Sequence, residues 1–344
     1  MDIKKNSAPN QRNANADILK SLSIFAVVFI HGSHLLPFSA SAIDFSKTQV
    51  EFIQNLFRFC VPVFIYLWAY FSEKSFIKRG DGNAFKRLYQ LFIPFFVWSV
   101  VYLLLTADFS TLTVKSLITK HWVGYGWSGQ YYFIILFQLI ILFNIIRKIT
   151  PVLSKFTSVI ILLSIGFYAL ISYTSWFEHG VMEKLSYRPF VYWLPYMIVG
   201  ILHAHKNIIN ISLPPVLIWL SPLLILAEIL YLKPGLENVY MLPSVFICTL
   251  LLTSAVNSGP TYAELPAAFG RLVQSMANQT LGIFCLNPLV ILCLSPLIMQ
   301  SGVVFHFPLA SVVCPLISTI GICAVCVLLI GLLKKLRLGF LVSN

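Results

Sequence analysis

The chain has 344 residues, of which 58% are hydrophobic and only 10% are charged, with a formal net charge of +12. That balance excludes a soluble globular domain of this length, and the chain reads as an all-α integral membrane protein. The polar stretches between its apolar runs are too short to bury a core, which excludes a separate soluble domain as well.

A spanning helix needs about 20 mostly apolar residues. Ten such runs follow one another at about 21–37, 52–71, 88–106, 129–146, 156–175, 189–204, 213–232, 241–257, 275–298 and 309–333. The expected architecture is therefore a bundle of about ten transmembrane helices within one lipid bilayer. It forms a single domain over 21–333, between a cytoplasmic N-terminal arm at 1–20 and a cytoplasmic tail at 334–344. With the N-terminus in the cytoplasm, that side holds seventeen Lys and Arg residues against six on the other, and Arg58 lies within a span. This positive-inside asymmetry places both termini in the cytoplasm. The positive net charge then follows from topology and points to no nucleic-acid partner. A Lys-bearing start, an apolar run and Ala40-Ser41-Ala42 also have the form of a secretory signal and its cleavage site. The long arm before the run, with His31 and His34 ahead of the putative cut, favours a retained first helix.

All seven cysteines fall within the predicted spans, where Cys behaves as a small hydrophobe. Cys323-Ala-Val-Cys326 has the spacing of a redox motif but no polar partner in its helix, so packing is the expected role. No disulfide framework, metal site or resident cofactor is expected. His203 and His205, two apart on a helix, point to different faces and read as ordinary residues of a cytoplasmic helix end.

Polar residues inside a membrane are costly and mark functional candidates. In chain order these are His31, His34, Arg58, Glu228 and Asn287. His34 lies at the outer end of the first span, and Glu228 is close enough to its helix end to snorkel toward Tyr231 and Lys233. Arg58 lies about two turns into an apolar helix, a position that calls for a partner or a water-filled cavity. Asp17-Ile-Leu-Lys20 opens the first helix, and Lys20 precedes His31 by eleven residues. That is about three turns, so the two side chains face one way, about 16 Å apart along the axis. The spacing suits one continuous site, with a cation at its mouth for an anionic group and an imidazole deeper in to move a proton. A histidine that is merely hydrogen-bonded within the bundle would look the same.

Taken together these segments resemble the type-three acyltransferases, a family of bacterial integral membrane O-acyltransferases. Asp17-Ile-Leu-Lys20 followed by ten residues and His31 is similar to the family's first-helix signature, with Lys20 in place of Arg. Arg58-Phe-Cys-Val-Pro62-Val-Phe-Ile resembles the second-helix segment, and Phe85-Lys86-Arg87-Leu-Tyr-Gln90-Leu-Phe-Ile-Pro94 the basic entry to the third. Tyr131-Tyr132-Phe133-Ile and Leu194-Pro195-Tyr196-Met-Ile-Val-Gly200 resemble later helix openings. Leu281-Gly282-Ile283-Phe284-Cys-Leu-Asn287-Pro288 resembles the family's Gly-Ile-Tyr-Leu-x-His-Pro segment.

The resemblance implies a donor, acyl-coenzyme A and in the first instance acetyl-coenzyme A, on the cytoplasmic side of a bacterial inner membrane. It implies a hydroxyl acceptor on an envelope glycan or a lipid-linked saccharide. Carried onto this chain, His31 becomes the catalytic general base, and Lys20, Lys86 and Arg87 become the residues that hold the donor's phosphates. Asp17 supports Lys20, while Arg58 and Asn287 become substrate-binding candidates. Besides Lys20, four residues depart from the pattern: Trp68-Ala69 stand where Ser-Gly is usual, Gln90 where a second Arg is common, and Asn287 where His is expected. These departures leave a second reading open, a glycan or lipid transporter or an assembly partner that keeps the fold without the chemistry.

Overall fold

The computed structural model describes residues 12–38, 47–80, 84–122, 124, 126–174, 185–206, 213–232, 236–257, 261–307 and 309–342. The motif Ala40-Ser41-Ala42 lies outside them. The described residues are helical apart from turns, connecting loops and one isolated bridge, Phe38 with Phe305. The longer helices are α1 (Ala14–Gly32), α2 (Cys60–Arg79), α3 (Ala84–Thr106), α4 (Gln130–Leu153), α5 (Thr157–Tyr173) and α6 (Leu194–Lys206). They continue as α7 (Leu223–Leu232), α8 (Pro243–Ser254), α9 (Ala267–Asn278), α10 (Thr280–Gln300) and α11 (Ala310–Lys335).

Among the described residues, six helical stretches are long and apolar enough to cross a membrane: Ala14–Gly32, Val50–Arg79, Lys86–Thr106, Gln130–Tyr173, Thr280–Gln300 and Ala310–Lys335. The fourth, of 44 residues, holds both α4 and α5, joined through the short turn Ser154–Phe156. The apolar helices Leu194–His205, Leu223–Leu232 and Pro243–Ser254 are shorter. They stand where the expected spans 189–204, 213–232 and 241–257 fall. Each is bounded by chain chemistry that ends a helix, and the run at 213–232 breaks at Ser221-Pro222, where proline has no N–H to continue the ladder.

The first helix starts earlier than its apolar run, because Asn13 caps it by accepting the Ala16 N–H at 2.9 Å. Asp17 in the first turn then lies at the positive end of the helix dipole. The second expected span is also not one helix. Lys47–Ile53 passes through the tight turn Gln54–Phe57 before α2 begins at Cys60, which leaves Arg58 at the junction. At the other end of the chain, Val342 is fully buried and the Trp98 indole N–H donates to the Leu341 carbonyl at 3.0 Å. The described end of the expected tail, through Val342, is thus folded against α3.

α1 is the inner staff of the bundle and packs against α2, α9, α10 and α11. α2 lies against α6 along its length, and α3 against α4. The α2–α6 pair is close because Gly200 carries no side chain. A Cβ there would stand 2.7 Å from the Tyr66 carbonyl oxygen and 3.1 Å from the Ala69 methyl. Gly200→Ala is therefore expected to force the two backbones apart at a cost of about 2 kcal/mol. A thermal-unfolding series in detergent checks this, with Gly166→Ala, where a Cβ meets nothing within 4 Å, as the neutral control.

Candidate functional site

Three of the expected residues lie on α1 and are ordered by its uninterrupted helix. Asp17, nearly fully buried, accepts hydrogen bonds from Arg12 Nε and from the Tyr262 hydroxyl, the latter at 2.7 Å. Burial, and then that bond to Asp17, push the Tyr262 phenol up to about 12, so it remains a donor at neutral pH. Lys20 Nζ stands 3.7 Å from Asp17 Oδ1 and 5.0 Å from the centre of the Phe71 ring. Its ammonium is thus steered by a carboxylate on one side and an aromatic face on the other.

Lys20 opens onto a cleft of about 500 Å³. Arg87 lines the same cleft, where its guanidinium donates to Ser72 Oγ, and Gln90 lines it one turn further along α3. Lys86 is exposed and lies outside the lining. The remainder of the wall is apolar and aromatic, with Trp68, Phe71 and Leu136 among its members. Trp68 is set edge-on against Phe143 at 5.5 Å between ring centres. Phe64, Tyr132 and Phe284 close the inner end, the last two 5.3 Å apart between centres. Phe284 reaches that position because Gly129, at the start of α4 with φ +93°, leaves room for it; a Cβ there would meet the ring at 2.8 Å.

The next turn of α10 carries Asn287, about 4.5 Å further along the axis than Phe284. Asn287 is fully buried, and its Oδ1 lies 3.0 Å from His31 Nδ1. Its amide nitrogen donates to the Ile283 and Phe284 carbonyls at 3.0 and 2.8 Å. The second of these carbonyls is the one that Pro288, with no N–H, leaves without a helix partner. The same proline thereby fixes which end of the amide faces His31. With Oδ1 as the only group offered, the imidazole must donate from Nδ1. His31 keeps part of its surface accessible.

Arg58 stands apart from the cleft. Its Nε donates to Asn55 Oδ1 at 3.3 Å, and its guanidinium lies 5.0 Å from the centre of the Tyr240 ring. Phe57 meets Phe29 at 4.6 Å between ring centres, which brings this junction to the level of the last turns of α1. The structure therefore groups Asp17, Lys20 and Arg87 around one mouth, joins His31 to Asn287 deeper in, and leaves Lys86 outside.

Other polar candidates have structural partners. Glu228 does not snorkel: it is buried, accepts from the Tyr173 hydroxyl at 2.6 Å and caps α8 through the Ser244 N–H at 2.8 Å. His34 lies 3.1 Å from Gln54 Nε2, which itself donates to Ser33 Oγ at 2.6 Å. His203 and His205 are not ordinary helix-end residues. His203 is buried against the Tyr66 hydroxyl, and His205 Nε2 lies 2.7 Å from Glu73 Oε1. Glu73 is fully buried and also accepts from Arg147 Nε at 3.1 Å and Nη2 at 3.4 Å. This cluster ties α2, α4 and α6 together. Nothing in the sequence pairs these three residues, because Glu73 reads there as part of a polar connecting segment.

A comparison with protein families gives one match: the model described as an acyltransferase domain covers residues 13–331, nearly the whole chain. The chain belongs to that family, the one its motifs resemble, and is a multi-pass membrane acyltransferase. No curated protein and no solved structure matches it.

The Glu73 cluster yields a prediction separate from the chemistry. Glu73→Gln leaves Arg147 and His205 without their carboxylate in a buried setting, at a cost of about 3 kcal/mol. A fall in the detergent unfolding midpoint with unchanged acyl transfer per folded molecule is the expected result. The two are measured by thermal scanning and by activity normalised to the monodisperse fraction.

Proposed function

We propose that this membrane acyltransferase moves an acyl group, acetyl in the first instance, from cytoplasmic acyl-coenzyme A to a hydroxyl of a cell-envelope glycan or its lipid-linked precursor. The observation that carries the reading is the His31–Asn287 hydrogen bond. With Nδ1–H donated to Asn287, the neutral imidazole holds its basic lone pair on Nε2. In that tautomer His31 takes the acceptor's hydroxyl proton as the hydroxyl oxygen attacks the thioester carbonyl carbon. The carbon–sulfur bond then breaks, and the imidazolium returns the proton to the departing thiolate. Asn287 acts in this scheme as a positioning residue: it touches His31, and its burial keeps it off the substrate.

The cleft supports the donor assignment. Coenzyme A carries phosphates at one end and its thioester at the other, joined by an extended arm. Lys20 and Arg87 present cations at the mouth, and His31 lies about 16 Å deeper on the same helix as Lys20. Lys86 adds positive charge outside the mouth, and Asp17 orients Lys20. Coenzyme A is a substrate here, and no resident cofactor enters the scheme. The aromatic inner end formed by Phe64, Tyr132 and Phe284, with Trp68 on the wall, supports a short acyl group. We assign the protein to the bacterial cytoplasmic membrane with ten crossings and both termini inside. The charge asymmetry then puts Lys20 and Arg87 on the face where acyl-coenzyme A is available.

The transport or assembly reading rests on Trp68, Gln90 and Asn287. The first two line the donor cleft and the third orients the base, so each departure has a place within an enzyme.

The test is acyl transfer from radiolabelled acetyl-coenzyme A into membrane glycans and lipids at matched expression. His31→Ala is expected to lower kcat at least a hundredfold. Lys20→Ala raises the donor KM with little change in kcat, because it removes binding shared by ground and transition states. Label that is equal in all variants, or absent from all while envelope polymer still depends on the protein, overturns the reading. Asn287→Ala gives a separate expectation. With the tautomer no longer fixed, kcat falls about tenfold while both KM values stay within twofold. A changed acceptor KM instead would make Asn287 a substrate contact.

A further inference from the structure

Arg58 raises a question that the donor cleft does not answer. Arg12 and Lys20 share Asp17, and Arg147 has Glu73, but among the described residues no carboxylate lies within ion-pair distance of Arg58. An uncompensated guanidinium within an apolar bundle is costly and is kept where it serves a ligand or a water-filled space. Its surroundings are aromatic and come from three separate parts of the chain. Tyr240 lies under the guanidinium, Tyr187 stands edge-on to Tyr240 at 5.3 Å, and Tyr131 is 6.1 Å from Tyr187 between ring centres. Phenols stay neutral at physiological pH, so none of them cancels the charge.

Part of this group keeps accessible surface, while Tyr240 itself is buried. Arg58, Tyr131 and Tyr187 are each only partly buried, whereas Phe59, Cys60, Trp193 and Met241 around them are buried. His31, likewise partly accessible, lies two residues beyond Phe29, whose ring meets that of Phe57, next to Arg58, at 4.6 Å between centres. Tyr132 lines the donor cleft while its chain neighbour Tyr131 belongs to the Arg58 group. The first turn of α4 therefore carries one residue of the donor cleft and, beside it, one of the Arg58 group.

We propose that the space around Arg58 is the acceptor subsite and that the acceptor is an anionic saccharide. Its carboxylate or phosphate pairs with Arg58 while a sugar ring lies against Tyr131 and Tyr187, which presents a hydroxyl to His31. This rests on the acyltransferase reading above and adds to it the charge class of the acceptor and the residue that selects it.

The experiment uses the full chain in lipid nanodiscs with acetyl-coenzyme A and three acceptors: a uronate-bearing oligosaccharide, its carboxyl-reduced neutral counterpart, and a polyprenyl-diphosphate-linked neutral saccharide. The unaltered protein is expected to favour an anionic acceptor over the neutral one at least tenfold in kcat/KM. Preference for the uronate puts the anion on the sugar, and preference for the lipid-linked form puts it on the diphosphate. Arg58→Gln is expected to shrink the ratio toward one, mainly through the acceptor KM, and Arg58→Lys to restore most of it. No preference in the unaltered protein overturns the proposal, and this arm needs no variant to fold. An equal loss for all acceptors through kcat in Arg58→Gln also overturns it, since that result assigns Arg58 to the thioester oxyanion. Absence of any transfer overturns the proposed donor and acceptor reading, and full transfer in His31→Ala overturns the assignment of His31 as the base; these two controls distinguish both results from failure of the Arg58 proposal.

Discussion

One missing N–H organises the centre of this protein. Pro288 cannot donate to the Phe284 carbonyl, and in an apolar bundle no water replaces the lost bond. The Asn287 side chain fills the gap at 2.8 Å and so spends its donor on the backbone. Only its oxygen is left to face His31, and the imidazole takes the complementary tautomer. A backbone defect in α10 is thereby converted into a defined protonation pattern on α1. A histidine at position 287 could also bridge to His31. It would leave open which ring donates, whereas an amide tied down at its nitrogen offers only an acceptor.

The cations of the chain divide by whether the fold neutralises them. Arg147 and His205 converge on the fully buried Glu73, where the charge is matched and the product is a joint between three helices. Asp17 already serves Arg12 and the Tyr262 hydroxyl, so its hold on Lys20 is partial, at 3.7 Å. Among the described residues, Arg87 meets a serine hydroxyl, and Arg58 meets an amide oxygen and the Tyr240 phenol, with no carboxylate at either. A hydroxyl or an amide orients a guanidinium without cancelling its charge. The surplus therefore lies at the cleft mouth and beside the tyrosines around Arg58, the two places proposed above as the donor and acceptor sites.

Much of this was legible in the sequence, and the boundary of legibility has a physical basis. Long apolar runs report lipid exposure directly, so the helices of the longest spans fall close to where hydropathy puts them. The start of α1 at Ala14 was missed because a helix can begin in a polar arm when Asn13 caps it, and capping leaves no mark in hydropathy. The sequence puts Arg58 inside a helix because the turn Gln54–Phe57, Gln-Asn-Leu-Phe, contains no charge, Gly or Pro to mark a break in the run. Spacing along one helix gave the common face of Lys20 and His31, since both lie on α1. The His31–Asn287 and Glu73–Arg147 contacts join residues 256 and 74 positions apart, which no single-sequence periodicity encodes. The aromatic ring around Arg58 was invisible for another reason: among 28 Phe, 15 Tyr and 7 Trp residues, three tyrosines carry no distinguishing composition.

The placement of Lys20 and His31 on one helix also decides what in the site can vary. Both belong to α1, whose 19 residues contain no proline. Their separation of about 16 Å along the axis is set by helix geometry and does not depend on how neighbouring helices tilt. The facing elements are built differently. α3, which carries Arg87 and Gln90, contains Pro94, and α10, which carries Phe284 and Asn287, contains Pro288 and Pro296. Proline lets a helix bend with less loss, because one ladder bond is already missing. A bend in α3 or α10 would change the width of the cleft without changing the distance from its cationic mouth to His31. In the proposed scheme the fixed staff carries the two groups whose separation must match the donor, and the bendable helices carry the groups that close around it.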